Sequence, residues 1–456
     1  MNFIQTVISA LALTVLAACN TLPKVDSATV TPASSAHLEG ARGPLSASQT
    51  KAILARLEAR GQQTSIFDRH LALEEGVVGS PLTVGNKVIL LQNGAATYAA
   101  MLAAIAGAKD HVNMESYIFE DDEVGQKFSD ALIAKQGQGV QVTLIYDSVG
   151  SSDSPQEFFQ RLIDAGVQVL EFNPINPLAG NKSYQVGNRD HRKLLIVDGK
   201  TAFMGGVNIS GVYASGSSVL KKEGVGNAPW RDTHLQVQGP VVSDFQKLFL
   251  ATWASQKGDA MKPRNFFPAE VNSGGEVVRA IGSSPEDKYS LIYATLVSAI
   301  QSAETSVRIT NAYFVPDPQL LGALIDAAKR GVDVKLILPS NTDNWLVFNA
   351  GRSHYEHLLK SGVKIYERRG PLLHAKTALI DGVWSTVGSA NLDRRSFLHN
   401  QEINAVVLGA EFGAQMQAMF DADIAVSNAI TLEKWELRPL ADHLREMSAR
   451  AWAYWL

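Results

Sequence analysis

Two stretches of this chain carry the same chemically active side chains at the same spacing. His191, Lys193 and Asp198 are followed by Gly205-Gly206 and Asn208, and His374, Lys376 and Asp381 by Gly388-Ser389 and Asn391. In both copies Lys lies two residues after His, Asp seven after, the small pair fourteen and fifteen after, and Asn seventeen after. One His-x-Lys is chance; two five-point matches at identical offsets are not. The residue types suit a phosphodiester. A neutral imidazole can attack phosphorus, and a protonated one can give its proton to the leaving alcohol. Lys supplies point charge and Asn neutral donors for the phosphoryl oxygens, where charge grows in the transition state. A covalent phosphohistidine would split one hard displacement into two easier ones. The chemistry calls for no metal and no cofactor, and a single cysteine leaves no zinc-type spacing. Lysine inside an apolar strand is costly without an anionic partner, which argues against a purely structural pair.

The elements that must position these groups follow from periodicity. His and Lys at i and i+2 share one face of a strand. The apolar runs Leu194–Val197 and Ala378–Ile380 predict strands buried on both sides. Asp198-Gly199 and Asp381-Gly382 predict tight turns, after which a second strand returns Asn to the His/Lys face. Asp232 and Glu402 each start an alternating strand just downstream of a motif, where an acid could orient an imidazole. Upstream of each motif the chain alternates helix and strand in the same order, so the body is an internal repeat. Helices are expected at 99–109, 124–135 and 158–165, and again at 291–303, 320–330 and 355–359. The fold class is α/β: two similar halves about a pseudo-twofold axis, each with a mostly parallel sheet and one motif facing a shared cleft.

At these residues the chain resembles the phospholipase D superfamily, whose signature is the doubled H-x-K-x4-D motif. The run from Gly388 through Arg394-Arg395-Ser396-Phe397 to Asn400-Gln401-Glu402 is similar to the bacterial cardiolipin synthases. So are Tyr313-Phe314-Val315-Pro316-Asp317 and Trp230-Arg231-Asp232-Thr233-His234. The resemblance spans roughly residues 80 to 425. It implies that His191 and His374 are nucleophile and general acid, in an order it leaves open. It implies phosphate-binding or supporting roles for Lys193, Lys376, Asn208, Asn391 and Ser389, and structural support from Asp198 and Asp381. The implied substrates are phospholipids: phosphatidylglycerol, with phosphatidylethanolamine as a further candidate. Water in place of the acceptor would give a phospholipase D; a superfamily nuclease and an inactive lipid-binding lipoprotein are the remaining alternatives.

Composition is that of a globular protein, with 46% hydrophobic and 19% charged residues in 456. A net charge of −4 argues against a nucleic-acid partner, which would call for a basic face. Residues 1–18 read as a signal peptide ending Leu16-Ala17-Ala18 before Cys19. That ending resembles a bacterial lipoprotein signal, which implies lipid attachment at Cys19 and a membrane-anchored, periplasm-facing protein. Residues 19–47 are rich in Ser, Ala, Thr and Pro and read as a tether. The remaining divisions are a helical segment at 48–80, the two halves at 81–260 and 261–425, and a tail at 426–456. Asn173–Gly187 and Gly211–Asn227 are expected as loops framing the cleft. Glu115 is either a headgroup contact or a buried, paired carboxylate. The tail mixes Trp435, Trp452, Tyr454 and Trp455 with Arg438, Arg445 and Arg450. Its expected state is a helix docked on the body with its aromatics as core, and a membrane-interface segment is the competing reading.

Overall fold

Each half threads its repeat through the same series of strands. In the first, β1 (Leu82–Gln92) and α1 (Asn93–Gly107) lead to β2 (His111–Ser116), α2 (Glu123–Gly137), β3 (Gln141–Asp147), α3 (Gln156–Asp164) and β4 (Gln168–Phe172). The motif hairpin follows as β5 (Lys193–Val197) and β6 (Thr201–Gly205), then β7 (Thr233–Gln238) and α4 (Val242–Ser255). In the second half β8 (Glu276–Ser283), α5 (Leu291–Ser302), β9 (Ser306–Asn311), α6 (Pro318–Lys329) and β10 (Asp333–Pro339) repeat the pattern. Next come α7 (Trp345–Arg352), α8 (Tyr355–Lys360), β11 (Lys364–Arg368) and the hairpin β12 (Lys376–Ile380) and β13 (Trp384–Gly388). The chain continues through α9 (Arg394–Leu398), β14 (Asn400–Leu408), α10 (Ala410–Ala425), β15 (Ser427–Ile430), α11 (Leu432–Glu436) and α12 (Leu440–Arg450). This computed structural model describes residues 22, 37–60, 66, 70–71, 80–175, 187–214 and 228–452. Cys19, the signal and most of the tether lie outside the described residues, as do residues 176–186 and 215–227 of the expected loops and Tyr454 and Trp455 of the tail.

The strands form one continuous sheet in the order β4-β3-β2-β5-β6-β7-β1-β8-β14-β13-β12-β9-β10-β11-β15. The order reads nearly the same from either edge, with β1 and β8 antiparallel at the centre. A mostly parallel sheet is therefore a wrong expectation. Along that order only strands joined through helices, β2-β3-β4 and β9-β10-β11, run parallel. The motif strands are joined by tight turns, and a tight turn can connect only antiparallel neighbours.

Those turns use Asp and Gly with positive φ, 55° and 61° at Asp198-Gly199 and 51° and 66° at Asp381-Gly382. Positive φ at both residues is the left-handed conformation that Asp and Gly tolerate best, here in a three-residue connection between paired Val197 and Thr201 and between Ile380 and Trp384. Glycine also ends the helices. Gly331 (φ 92°) closes α6, with Val332 N donating back to Ala327 O at 3.1 Å; the same arrangement recurs at Gly139, Gly166 and Gly362.

Helices α4 and α10 cover one face of the sheet with a core that runs across both halves, from Val88, Leu194 and Phe249 to Ile403, Phe412 and Met416. On the other face α1–α3 pack the first half and α5, α6 and α8 the second. The N-terminal helix Ala47–Arg60 joins the second-half core through Leu57, with Ile53 and Leu54 partly buried beside it.

Candidate active site

The two motifs begin at the ends of β5 and β12, and backbone bonds tie each to the other half. Arg189–Asp190 pairs in parallel with Asn400 and Gln401, and His191 N donates to Gln401 O at 2.9 Å. Reciprocally, Arg231 N donates to Leu372 O at 2.9 Å and His374 N to Arg231 O at 2.8 Å. Each histidine is thus laid beside the residue that precedes the opposite half's acid.

The acids complete the crossing. His191 Nδ1 lies 3.0 Å from Glu402 Oε1, and His374 Nδ1 lies 2.7 Å from Asp232 Oδ2. Against a carboxylate Nδ1 must be the donor, which fixes the tautomer and leaves Nε2 of each ring with its lone pair. Sequence position sets each acid just downstream of its own motif, whereas the structure gives it to the other one. The Glu402 carboxylate also accepts from Ser389 Oγ and from Asn400 Nδ2 at 3.1 Å. Asp232 accepts from Thr233 N at 2.7 Å and sits where a side chain at Gly206 would collide with it. Gly206 and Ser389, equivalent in the two copies, therefore both serve the acid of their own half.

The lysines lie between the pairs. Lys193 Nζ donates to His191 O at 2.6 Å and stands 5.0 Å from the Tyr117 ring centre. Lys376 Nζ donates to His374 O and lies 3.0 Å from His374 Nδ1. Burial pushes Lys193 down to about 7 and Lys376 down to about 8, against the pull of Glu402 and Asp232. Burial holds His191 down to about 4 despite Glu402, and burial with Lys376 holds His374 below its ordinary value. Burial raises both acids most strongly, but His374 with Lys376 and Thr233 N together outweigh it at Asp232, and His191 with Lys193 and Ser389 at Glu402, so each carboxyl ends below its ordinary range. The resting site therefore sets two neutral imidazoles and two carboxylates against two easily discharged ammonium groups, a balanced charge that a bound phosphodiester anion would turn negative, favouring the proton that one imidazole must carry.

The two asparagines differ. Asn208 is engaged, its Oδ1 accepting from Ile118 N at 3.1 Å and its Nδ2 donating to Tyr213 Oη at 2.8 Å. One amide hydrogen remains for a ligand. Asn391 Oδ1 is buried and makes no hydrogen bond among the described residues. Asp198 and Asp381 stand at the far ends of their strands, about 16 Å from the lysines at a strand's rise per residue. Asp198 accepts from the backbone N–H groups of residues 109–111, and Asp381 from those of 304–306.

The tyrosines beside the histidines carried no signal in the sequence reading. Tyr117 packs edge-on to His191 with centroids 4.9 Å apart, and Tyr213 edge-on to His374 at 5.6 Å. Trp230 leans on the same His374 ring. Tyr213 comes five residues after Asn208 in the first copy; the second copy has Ser396 at that offset. That mismatch is a signal that aligning the two copies could have exposed. Glu115 is buried 3.9 Å from Arg192 and beside Asp190. Arg192 in turn donates to Glu402 O at 3.1 Å and Ser283 O at 3.3 Å, stitching the first motif to the second half.

A doubled His–Lys motif at the join of two like halves, each imidazole held by the other half's acid, defines the phospholipase D superfamily of phosphodiester-transfer enzymes. Within it, the chain belongs to the family described as "Cardiolipin synthase, PLD-like domain", whose model matches residues 101–216 and 296–424. A cardiolipin synthase of Geobacillus sp. (strain WCH70) is 35% identical over 383 residues, 83% of this chain and 74% of that one. Cardiolipin synthase 2 of Bacillus anthracis is 36% identical over 363 residues, 79% and 69% of the two chains. In fold the chain is similar to the crystal structure of phosphatidylserine synthase from Haemophilus influenzae Rd KW20. The TM-score is 0.58 at 13% identity, covering 80% of this chain and 92% of that one. The chain is an enzyme of cardiolipin synthase type. Among the described residues no helix is long and apolar enough to cross a membrane.

Proposed function

We propose that the enzyme makes cardiolipin by moving a phosphatidyl group between two phosphatidylglycerol molecules. One histidine Nε2 attacks phosphorus, and the bond from phosphorus to the glycerol headgroup oxygen breaks. The other histidine, protonated, gives its proton to that oxygen, and glycerol leaves. The glycerol hydroxyl of the second phosphatidylglycerol then loses its proton to this histidine, attacks phosphorus and releases the first histidine. Glu402 and Asp232 stabilise each imidazolium as it forms, and Lys193, Lys376 and the amides of Asn208 and Asn391 hold the phosphoryl oxygens.

The observation that carries this reading is the crossed pairing of His191 with Glu402 and His374 with Asp232 at one join. The test is an alkaline quench during turnover, followed by intact-mass analysis. A mass increase of one phosphatidyl group is expected on the wild type and on one of His191→Ala and His374→Ala, with the other variant blank. No adduct on the wild type, or an adduct on both variants, contradicts the scheme. We also infer that Cys19 carries a lipid that tethers the body at the periplasmic face, on the strength of the Leu16-Ala17-Ala18-Cys19 run. Labelled palmitate that enters Cys19→Ser as well as the wild type would rule this out.

A further inference from the structure

Helix α12 is packed the wrong way round for a helix that ends in water. Its body-facing side is small or polar. Ala449 packs against Val315, Val347 and Ala350, and Glu446 is buried in an ion pair with Arg438. Arg438 in turn lies over the Trp435 ring. The opposite side carries Leu440, Leu444 and Met447 at i, i+4 and i+7, which places them on one face. With Leu437 just before them, Trp452 just after and Trp345 on the helix beneath, these side chains are 51% to 80% exposed. A solvent-facing helix shows the reverse pattern.

The stripe sits close to the chemistry. Helix α12 packs on α7 and on Val315, and Val315 N donates to Leu392 O at 2.8 Å, one residue beyond Asn391. Exposed Arg450 falls on the flank of the stripe, a position from which a long cation reaches phosphate headgroups while its stem lies along apolar surface; exposed Arg445, paired with Asp442 at 3.3 Å, lies further round the helix. Exposed indoles at Trp345 and Trp452 suit the same interface.

We propose that the outward face of α12 is a membrane-docking surface: it seats the body on an anionic phospholipid bilayer, with the cleft mouth beside it. Choosing a bilayer as occupant rests on the phosphatidyl-transfer reading, since both substrates of that reaction are anionic and bilayer-borne.

Cys19 is the only cysteine, so Cys19→Ser gives a cysteine-free full chain. An environment-sensitive NBD dye is attached at Leu444→Cys on that background, and at Lys127→Cys, a distant exposed site on α2, as control. Vesicles of phosphatidylglycerol and phosphatidylcholine are added, and sedimentation confirms that the protein is bound. The expected result is a blue shift with a several-fold rise in emission at position 444 and neither change at 127. No change at 444 in vesicle-bound protein overturns the proposal. A blue shift at 444 that grows with protein concentration without vesicles also overturns it, because a second copy then covers the stripe. In parallel, Leu440→Gln/Leu444→Gln/Met447→Gln should lose turnover of vesicle phosphatidylglycerol while keeping turnover of the short-chain dihexanoyl lipid as monomers. If the unmodified chain turns over neither lipid, the functional reading fails, and the dye still decides the docking surface.

Discussion

At the scale of the residue, the site depends on two imidazoles whose tautomers are fixed from across the molecule. Glu402→Gln and Asp232→Asn keep the shape but remove the charge that stabilises each imidazolium. Each should lower kcat on the order of 10³–10⁴-fold with little change in Tm; a loss under tenfold in both would remove the acids from the mechanism. The lysines predict a pH profile. Lys193, pushed down to about 7, is charged below that pH and neutral above it, so activity should fall on the alkaline side as its proton leaves. Protonation of a buried histidine such as His191, held down to about 4, closes the acid side. Lys193→Arg keeps its charge through this range, so the alkaline limb of kcat/KM should move to higher pH even as kcat drops. An unmoved limb would assign it elsewhere. His191, Lys193, His374 and Lys376 were legible because their spacing repeats. The crossing of Glu402 and Asp232 was not, because which acid meets which ring is decided by how the halves pack. Tyr213 was hidden for the same reason: its contact with His374 joins residues 161 apart in sequence.

At the scale of the element, the repeated aspartates are turn anchors. Asp381 gathers three backbone N–H groups at the start of β9 and holds a positive φ in its own turn. Asp381→Asn retains the turn's conformational tolerance but weakens these charge-assisted bonds. It should cost roughly 1.5–3 kcal/mol of stability, read by denaturant unfolding, with kcat per folded molecule unchanged. A fall in kcat without a fall in stability would instead give Asp381 a chemical role. Most helices lay within a few residues of their sequence expectation because apolar period and glycine stops agree. The first departs most: α1 begins at Asn93, where Gly94 lies against the backbone of Tyr213 with no room for a Cβ. The central strands β1 and β8 were not legible. Gly85-Asn86 interrupts the alternation of β1, and a fully buried Arg279 interrupts that of β8.

At the scale of the whole molecule, the repeat in sequence becomes one sheet that reads nearly alike from both edges. The active site exists only where the halves meet. Arg192, Glu115 and the paired strands Arg189–Asp190 and Asn400–Gln401 hold that join. The tail docks as expected, with Trp435 buried against Tyr355 and Ala449 against Val315, but of the aromatics expected in its core Trp452 is exposed. That expectation did not foresee an apolar face left outward on the same helix. The most direct test of the central claim is a product assay on phosphatidylglycerol with the wild type, His191→Ala and His374→Ala. Cardiolipin and glycerol over repeated turnovers from the wild type, and no cardiolipin from either variant, with glycerol held to at most one per enzyme in the variant that keeps the nucleophile, is the result the structure predicts. Phosphatidic acid as the sole lipid product would make the enzyme a hydrolase, and cardiolipin from either variant would contradict a reaction that needs both halves.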